Sequence, residues 1–260
     1  MKAIDEARRA LPDVPHVAVF DTAFHATIPE EAATYALPSR FRDELGIRRY
    51  GFQGLSVQWS AERVQVPRLV VCHLGGGCSV TAVRDGRSVD TTMGFTPLEG
   101  VPMATRAGSV DPGALLHALR SGVSVDALDQ ALEHESGLTG LGGTDDPRKL
   151  EGTLALAVYT YRIATAIGAM AAALDGLDAL VFTAGVGEHS APVREAVCSR
   201  LGYLGVELDR AANDQLGGEG DIAAPGSGVR VVVVHAREEV VVARAVRALL
   251  AQPTKNARSR

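Results

Sequence analysis

Apolar runs alternate with amphipathic and glycine-rich stretches along the chain, and their order predicts strands interleaved with helices. Several of the apolar runs have the length of buried strands. A hairpin is expected around Asp85-Gly86, because this dipeptide supplies the positive φ angles that a tight turn requires. The predicted strands cover residues 16–20, 69–74, 79–84, 87–92, 177–183 and 229–234.

Helical patterns fill the spaces between these runs. Asp111-Pro112 predicts a helix start, because it combines an N-cap residue with a first-turn proline. The stretch 150–174 is apolar on most faces, which indicates a helix buried in a domain core or a dimer seam. Residues 136–146 are so rich in glycine that we expect a loop there, and a candidate binding loop. The predicted helices cover residues 111–119, 124–133, 150–174, 191–201 and 238–250, and the tail from Gln252 is expected to fray.

Composition narrows the class of partner. The chain has 260 residues, is 46% hydrophobic and carries a net charge of -5. It can therefore bury a sizeable core, as one large domain or two small ones. Its Lys and Arg residues are scattered, which argues against a nucleic acid or a charged membrane surface and favours a small-molecule partner.

The cysteines and the apolar stretches bear on location. Cys72, Cys78 and Cys198 lack the spacing of a metal site, so we expect a reduced, cytoplasmic protein. Residues 1–15 carry acidic side chains and do not resemble a signal peptide. Only residues 154–174 approach the length of a membrane span, and polar side chains interrupt them, so no membrane partner is expected.

Three glycine clusters, at residues 75–77, 137–143 and 185–187, each follow an apolar strand or precede a helix. Glycine lets the backbone approach a phosphate and present its N–H groups, so the three clusters together indicate nucleotide binding. Taken singly, each cluster is a weak signal, and the pattern alone favours a tight turn. None has the Walker A spacing or the dinucleotide-binding fingerprint.

Seven strings occur in the order found in one family: residues 19–25, 48–52, 73–77, 93–100, 105–112, 182–188 and 238–239. Over nearly its whole length the chain thereby resembles the acetate kinases. The resemblance implies an α/β, actin-like ATPase (ribonuclease H-like) fold, with a mixed sheet flanked by helices. Residues 1–22 would be a remnant of the first domain, 23–237 a nearly complete second, nucleotide-binding domain, and 238–260 a closing helix on the first domain.

Three positions match catalytic ones in that family. Asp21 matches an aspartate near the metal and the transferred phosphoryl group, although an Asp after a strand can also be a helix or turn cap. Arg106 matches an arginine that contacts the transition state, where its planar fork of donors suits phosphoryl oxygens. The alternative for Arg106 is a surface ion pair, worth at most about 1 kcal/mol. Gln53 replaces the usual histidine, and losing a donor of this class commonly costs about 10² to 10³ in rate.

The resemblance also implies nucleotide and metal ligands. Glu238 matches a magnesium ligand, and its alternative is a favourable acidic residue in a first helical turn. Gly76 and His189 stand where many members have Asn. The implied nucleotide-binding residues are His73, Leu74, Gly75, Gly76 and Gly77 at the phosphates, and Asp146, Pro147, Arg148, Gly185, Val186, Gly187, Glu188 and His189 at the adenosine and sugar.

The activity implied is that of an acetate kinase: ATP and acetate give ADP and acetyl phosphate by direct in-line transfer with Mg²⁺. The acceptor is already an anion, so the protein has to align two negatively charged reactants and neutralise their repulsion. The resemblance further implies a homodimer formed through the C-terminal domain.

Family members begin with a strand and a Ser/Gly-rich turn that precede the part matched here. We therefore expect an N-terminal truncation, severely reduced turnover, and exposure of residues 240–242 and 249–250 to water. Three interpretations stay open: a fragment or misplaced start of an active acetate kinase, a noncatalytic remnant that keeps nucleotide binding or dimerisation, and a propionate or butyrate kinase. The last stays open because one methylene is worth only about 1 to 3 kcal/mol of discrimination.

Overall fold

The computed structural model describes residues 2–251 and places a single mixed sheet at the centre of this part of the chain. The strands lie in the order β3-β2-β1-β4-β6-β5. β1 pairs in parallel with β4, and β4 in parallel with β6, while the remaining pairs are antiparallel. The strands are β1 Arg68–Leu74, β2 Cys78–Arg84, β3 Arg87–Thr91, β4 Ala179–Thr183, β5 Gly220–Asp221 and β6 Arg230–Val233.

Helices cover both faces of the sheet, so its central strands are apolar on both sides. Because side chains alternate along a strand, Val70 and Cys72 of β1 face one apolar core while Leu69 and Val71 face the other. The larger core includes residues of α8 and α10, and the smaller one includes residues of α4 and α12. The helices are α1 Lys2–Ala10, α2 Glu30–Ala33, α3 Ser39–Asp43, α4 Gly54–Arg63, α5 Pro112–Arg120, α6 Val125–His134, α7 Gly137–Gly142, α8 Leu154–Leu174, α9 Ala184–His189, α10 Ala191–Cys198, α11 Arg210–Gln215 and α12 Glu238–Leu250, with 3-10 turns at Ala23–Thr27, Pro147–Leu150 and Gly202–Leu204.

Most predicted elements are present. The hairpin of β2 and β3 turns at Asp85 and Gly86, whose φ angles are 49° and 76°. Asp111 caps α5 as expected, because its side chain accepts a hydrogen bond from the N–H of Gly113. The closing helix α12 begins at Glu238 and ends at Leu250, as predicted. The tail from Gln252 lies outside the described residues.

Two predicted elements are wrong. Residues 16–20 form no strand, because no strand of the described sheet lies beside them, and the Phe20 side chain is 65% exposed. Residues 137–142, predicted as loop, form the short helix α7. Gly137 begins this helix at a φ of 61°, in close contact with the backbone carbonyl of Met103, where a side chain would not fit.

Helix α12 packs against α4 on the smaller core. Val241 is buried and Val240 is partly buried there, so the predicted exposure of residues 240–242 is wrong. Trp59 of α4 lies under the guanidinium group of Arg244 of α12, which ties the two helices together, and under that of Arg63 from its own helix. At the far end of α12 two leucines remain exposed, as expected: Leu249 and Leu250.

Helix α8 is long and apolar enough to cross a membrane by length and composition. In the structure half of its apolar window is buried. Tyr159, Ile163 and Ile167 of this helix belong to the larger core, against the sheet. Helix α8 therefore serves as a core helix of the fold.

Candidate functional site

The parallel strands β1, β4 and β6 end at the same edge of the sheet. The glycine loop of residues 75–77 follows β1, helix α9 follows β4, and His235 and α12 follow β6. Crevices outside the carboxyl ends of parallel strands are the usual place for ligands in open α/β sheets. The candidate site is built along this edge.

Asp21 joins this edge through the beginning of α4. Its carboxylate accepts hydrogen bonds from the N–H groups of Gln53, at 2.5 Å, and Leu55, at 3.3 Å, and its backbone carbonyl accepts one from Gly54, at 3.0 Å. Asp21 therefore caps a helix, the role given above as the alternative to a place beside the metal and the phosphoryl group. A cap and a ligand role are compatible, because a carboxylate has further lone pairs to offer.

Gln53, the glycine loop and Arg106 meet at one point. A β-carbon on Gly77 would lie 3.1 Å from Gln53 Nε2 and 3.5 Å from Arg106 Nη1. Only a glycine leaves this space free for another group. The structure thus brings together the glycine loop and the three residues predicted to be catalytic, with Asp21 linked through the backbone of Gln53.

Arg106 is held in place by its own loop. The N–H of Ala104 donates to the carbonyl of Gly76 at 3.2 Å, which fixes this loop against the glycine turn. Arg106 Nε donates to Glu133 Oε2 at 2.7 Å, in a half-buried ion pair. Helix α7 supports the same loop, since the N–H of Leu138 donates to the carbonyl of Met103 at 2.9 Å. Helix α7 is therefore a support for Arg106.

His73 lies under the glycine loop near the end of β1 and is buried. Its Nδ1 forms a hydrogen bond of 2.8 Å with Ser56 Oγ. Burial lowers the pKa of His73 to about 4, although the negative charges of Asp21 and Glu188 act to raise it. His73 is therefore neutral at physiological pH and contributes shape and hydrogen bonding to the loop.

The depressed pKa of His73 predicts an acid-sensitive fold. His73 has a pKa of 6.5 in the unfolded chain and of about 4 in the folded one. Between these two values the unfolded chain binds a proton at His73 and the folded chain does not, so stability falls as the pH drops. We expect this group to cost about 2 kcal/mol of unfolding free energy between pH 7 and pH 5. Urea unfolding of wild type and His73→Gln at both pH values measures it, with the exposed His117→Gln as the control. An identical pH dependence in wild type and His73→Gln would contradict the prediction.

Glu238, at the start of α12, faces the same region. Burial raises the pKa of Glu238, and the negative charge of Asp21 raises it further. Two carboxylates that repel one another beside a predicted phosphate loop suit a divalent cation. No cluster of three or more candidate metal ligands is found within residues 2–251. A pair suffices for Mg²⁺, which is usually bound by one or two carboxylates together with substrate phosphates and water.

Helix α9 forms the other end of the edge. Glu188 points into the protein and accepts hydrogen bonds from the N–H groups of Ala184 and Ala236, at 2.8 and 2.9 Å. Its second oxygen lies 2.6 Å from His235 Nδ1. Burial alone would raise the pKa of Glu188, but these hydrogen bonds outweigh it and lower that pKa. Gly185 and His189 remain exposed.

A buried arginine closes the end of α9. Arg194, 2% exposed, donates to the carbonyls of Gly187 and Glu188 at 2.9 and 2.8 Å, and to Asn213 Oδ1 at 2.7 Å. Beside this network lies a cavity of about 300 Å³, lined by Glu188, His189, Ala191, Arg194, Asn213, Asp214, Leu216, Gly217, Gly218 and His235. Polar side chains make up most of this lining.

The segment Asp146 to Arg148 is not joined to this cavity. Arg148 donates from Nε and Nη2 to the two oxygens of Asp146, at 2.8 and 2.9 Å, and Pro147 is buried. Within residues 2–251 no hydrogen bond joins these side chains to α9. A larger hollow of about 670 Å³ lies between α7, α8 and the segment 99–109. Gly137, Gly140 and Leu141 of the third predicted glycine cluster line it, but none of the residues matched to catalytic, nucleotide or metal positions does.

Several residues of this edge were not predicted. Ser79, Glu133 and Arg194 each bind a predicted site residue or its backbone, and Asn213 in turn binds Arg194. Ser79 follows the glycine loop by two positions, which is the only signal in the sequence that could have indicated it. Glu133 is 27 positions from Arg106, so nothing local links them.

Two glycines of the site predict opposite responses to alanine. A β-carbon on Gly54 would overlap the carbonyl oxygen of Asp21, whereas one on Gly76 would meet nothing within 4 Å. We expect Gly54→Ala to destabilise the fold by about 1 to 3 kcal/mol, the usual cost of overpacking, and to displace Asp21. Gly76→Ala is the matched control and should unfold at nearly the wild-type urea concentration. Equal midpoints for the two variants would contradict the placement of Asp21 over α4.

A mixed sheet with helices on both faces and glycine turns at the carboxyl ends of its parallel strands is an actin-like ATPase fold. The sequence also matches the acetokinase family over residues 1–244, and the chain belongs to that family.

Individual relatives agree with this assignment. Acetate kinase of Gloeobacter violaceus is 50% identical over 260 residues, covering 92% of this chain and 64% of that protein. The crystal structure of Porphyromonas gingivalis acetate kinase superposes with a TM-score of 0.89 at 36% identity, covering 96% of this chain and 67% of that one. A propionate kinase from Francisella tularensis gives 0.88 at 36% identity, covering 94% and 67%. The chain spans 64 to 65% of the length of the first curated relatives it matches.

Proposed function

We propose that the protein is a phosphotransferase that moves the terminal phosphoryl group of ATP to the carboxylate of acetate, giving ADP and acetyl phosphate. The observation that carries this proposal is the meeting of the glycine loop, Gln53 and Arg106 beside Asp21. Relatives named acetate kinase support the choice of reaction. Propionate or butyrate is the alternative acceptor, supported by the similarity to a propionate kinase.

The transfer itself needs no covalent intermediate on the protein. A carboxylate oxygen of the acid attacks the γ-phosphorus, while the bond from that phosphorus to the bridging oxygen breaks and ADP leaves with the electron pair. We assign the equatorial phosphoryl oxygens to Arg106 and to the amide of Gln53, since both lie beside Gly77. Glu133 holds the guanidinium from the other side.

We assign magnesium to Asp21 and Glu238. When bound there, Mg²⁺ would neutralise charge on the terminal phosphates of the nucleotide. The carboxylates fit this role because they repel one another and have the hard oxygen ligands that Mg²⁺ prefers.

We assign the nucleoside to the exposed side of α9 and the adjoining cavity. Gly185, Val186 and His189 supply backbone and an imidazole there, and Glu188 keeps the strand-to-helix turn rigid from beneath. The local pair of Asp146 and Arg148 is assigned to the same nucleoside by resemblance alone.

Acyl phosphate formation tests the proposal. Incubation with MgATP, acetate and hydroxylamine should give acetyl hydroxamate, with propionate and butyrate as parallel acceptors. We expect a rate roughly 10² to 10³ below that of a relative with histidine at the Gln53 position, because an amide carries no charge. The rate with acetate should exceed the rate with each longer acid by about 10-fold or more per methylene.

Two results would count against the proposal. MgATP binding without hydroxamate from any of the three acids would favour the noncatalytic, nucleotide-binding alternative. Absence of MgATP binding altogether would contradict both. The hydroxamate rate with no added acid is the control for ATP hydrolysis and trace acyl donors.

We also propose a cytoplasmic homodimer that contacts itself through residues 23–237. Exposed apolar side chains on this part of the chain support such a contact, among them Leu141, Leu154 and Tyr203. The free, buried state of all three cysteines is consistent with a reducing compartment. Light scattering should give twice the chain mass, and a monomer at micromolar concentration would contradict the dimer.

A further inference from the structure

Ser79 is a fully buried serine on β2 that the proposed mechanism does not use. Its hydroxyl donates a hydrogen bond of 2.6 Å to Oε1 of Gln53. A buried hydroxyl with a short hydrogen bond to one end of a carboxamide fixes which end of that amide faces away.

The free end of the amide faces the candidate phosphoryl site. With Oε1 engaged by Ser79, Nε2 points toward Gly77, 3.1 Å from the place of its β-carbon, and Arg106 Nη1 borders the same space. Two hydrogen-bond donors, the neutral NH₂ group of Gln53 and the charged guanidinium of Arg106, therefore border the same space beside Gly77. That arrangement suits an anionic oxygen and would repel a cation.

The backbone of Gln53 is fixed as well. Its φ is 59°, a left-handed conformation that is uncommon outside glycine, and its N–H is bound by Asp21 at 2.5 Å. Residues held in such a conformation persist where the surroundings over-determine them. Both ends of Gln53 are thus restrained, the backbone by Asp21 and the amide by Ser79.

We propose that Ser79 is a positioning residue that turns the NH₂ group of Gln53 toward a phosphoryl oxygen bound between Gly77 and Arg106. The identity of that oxygen as part of ATP rests on the proposed function. Without Ser79 the amide is free to rotate, and its carbonyl would then turn toward the guanidinium of Arg106 and oppose the anion.

The orientation can be measured without turnover. In the wild-type protein the side-chain amide protons of Gln53, assigned by their loss in Gln53→Glu, should give a nuclear Overhauser effect to the α-protons of Gly77. In Ser79→Ala this effect should weaken or disappear. In Ser88→Ala the effect should persist. Ser88 is an equally buried serine on the neighbouring strand β3, and its hydroxyl forms a hydrogen bond of 2.9 Å with His25 instead.

Affinity for MgATP gives the second readout, by isothermal titration at constant pH. Ser79→Ala should weaken binding about 3- to 10-fold, the usual worth of one hydrogen bond, and Ser88→Ala should leave it unchanged. Gln53→Glu keeps an acceptor for Ser79 but has no NH₂ group, so it should weaken binding more than Ser79→Ala does.

Three results overturn the proposal: no Overhauser effect between Gln53 and Gly77 in the wild type, an unaltered effect in Ser79→Ala, or equal MgATP affinity in wild type and Ser79→Ala. If the wild-type protein bound no MgATP, the proposed function would fail together with the identity of the anion. The Overhauser effect would still decide the orientation of the amide, so the two failures are distinguishable.

Discussion

Replacement of Arg106 by alanine is expected to lower the rate of acyl phosphate formation by roughly 10³ to 10⁵, the range found for arginines that stabilise phosphoryl transfer. Its guanidinium borders Gly77 and is aimed by Glu133, so it can meet charge that grows on the phosphoryl oxygens during transfer. Affinity for MgATP should change little, because the contribution is made in the transition state. The hydroxamate assay and a direct binding titration measure the two quantities.

The matched control for Arg106 is Arg210→Ala. Arg210 also forms a carboxylate ion pair, at 2.8 Å with Glu195, but it is exposed and is not among the residues that line the cavity beside α9. Its loss should change the rate by less than about twofold, in line with a surface pair worth at most about 1 kcal/mol. A collapse of MgATP affinity in Arg106→Ala, parallel to the loss of rate, would assign Arg106 to binding of the substrate itself.

The second large effect is expected at Asp21. Asp21→Asn keeps one oxygen for the shorter hydrogen bond, from the N–H of Gln53, but loses the acceptor for the N–H of Leu55 and removes the charge assigned to magnesium. We expect the rate to fall at least about 10²-fold, because metal stabilisation of a transferring group is worth several kcal/mol. Stability should fall less than in Asp21→Ala, because only the longer of the two hydrogen bonds, at 3.3 Å, is lost. Asp21→Ala loses the cap too, at a cost of about 0.5 to 2 kcal/mol in unfolding free energy.

Asp111→Ala is the control that separates the cap from the charge. Asp111 caps α5 by accepting from Gly113, away from the glycine loop. The Asp111→Ala variant should lose about as much stability as Asp21→Ala, and it should keep the wild-type rate and the wild-type dependence on Mg²⁺. If Asp21→Asn kept the wild-type magnesium dependence, Asp21 would be a structural cap and nothing more.

The sequence predicted those elements whose signals are local. The hairpin turn at Asp85-Gly86 and the cap at Asp111 depend on neighbouring residues, and both are present. Residues 16–20 are apolar like a strand, but a strand also needs a partner, and pairing is decided by the rest of the fold. Helix α4 was not predicted, because its start at Gln53 is capped by Asp21, 32 positions earlier.

The candidate site was predictable in part for the same reason. Short strings in family order indicated Asp21, Arg106 and the glycine loop, and the structure places them together, while their roles stay predictions. Other hydrogen bonds along the edge, from Ser79 to Gln53 and from Arg194 to Asn213, join residues with no shared motif. Such pairs become visible only when the helices and strands that carry them are packed together.

The direction of β1 and β2 also separates two ends of the molecule. Leu74 pairs with Cys78 beside the glycine loop, while Arg68 pairs with Arg84 at the opposite end, next to the Asp85-Gly86 turn. A fluorophore or affinity tag inserted between Asp85 and Gly86 would therefore sit a full strand length from the phosphates. Such a label would touch none of the groups assigned to the ligand.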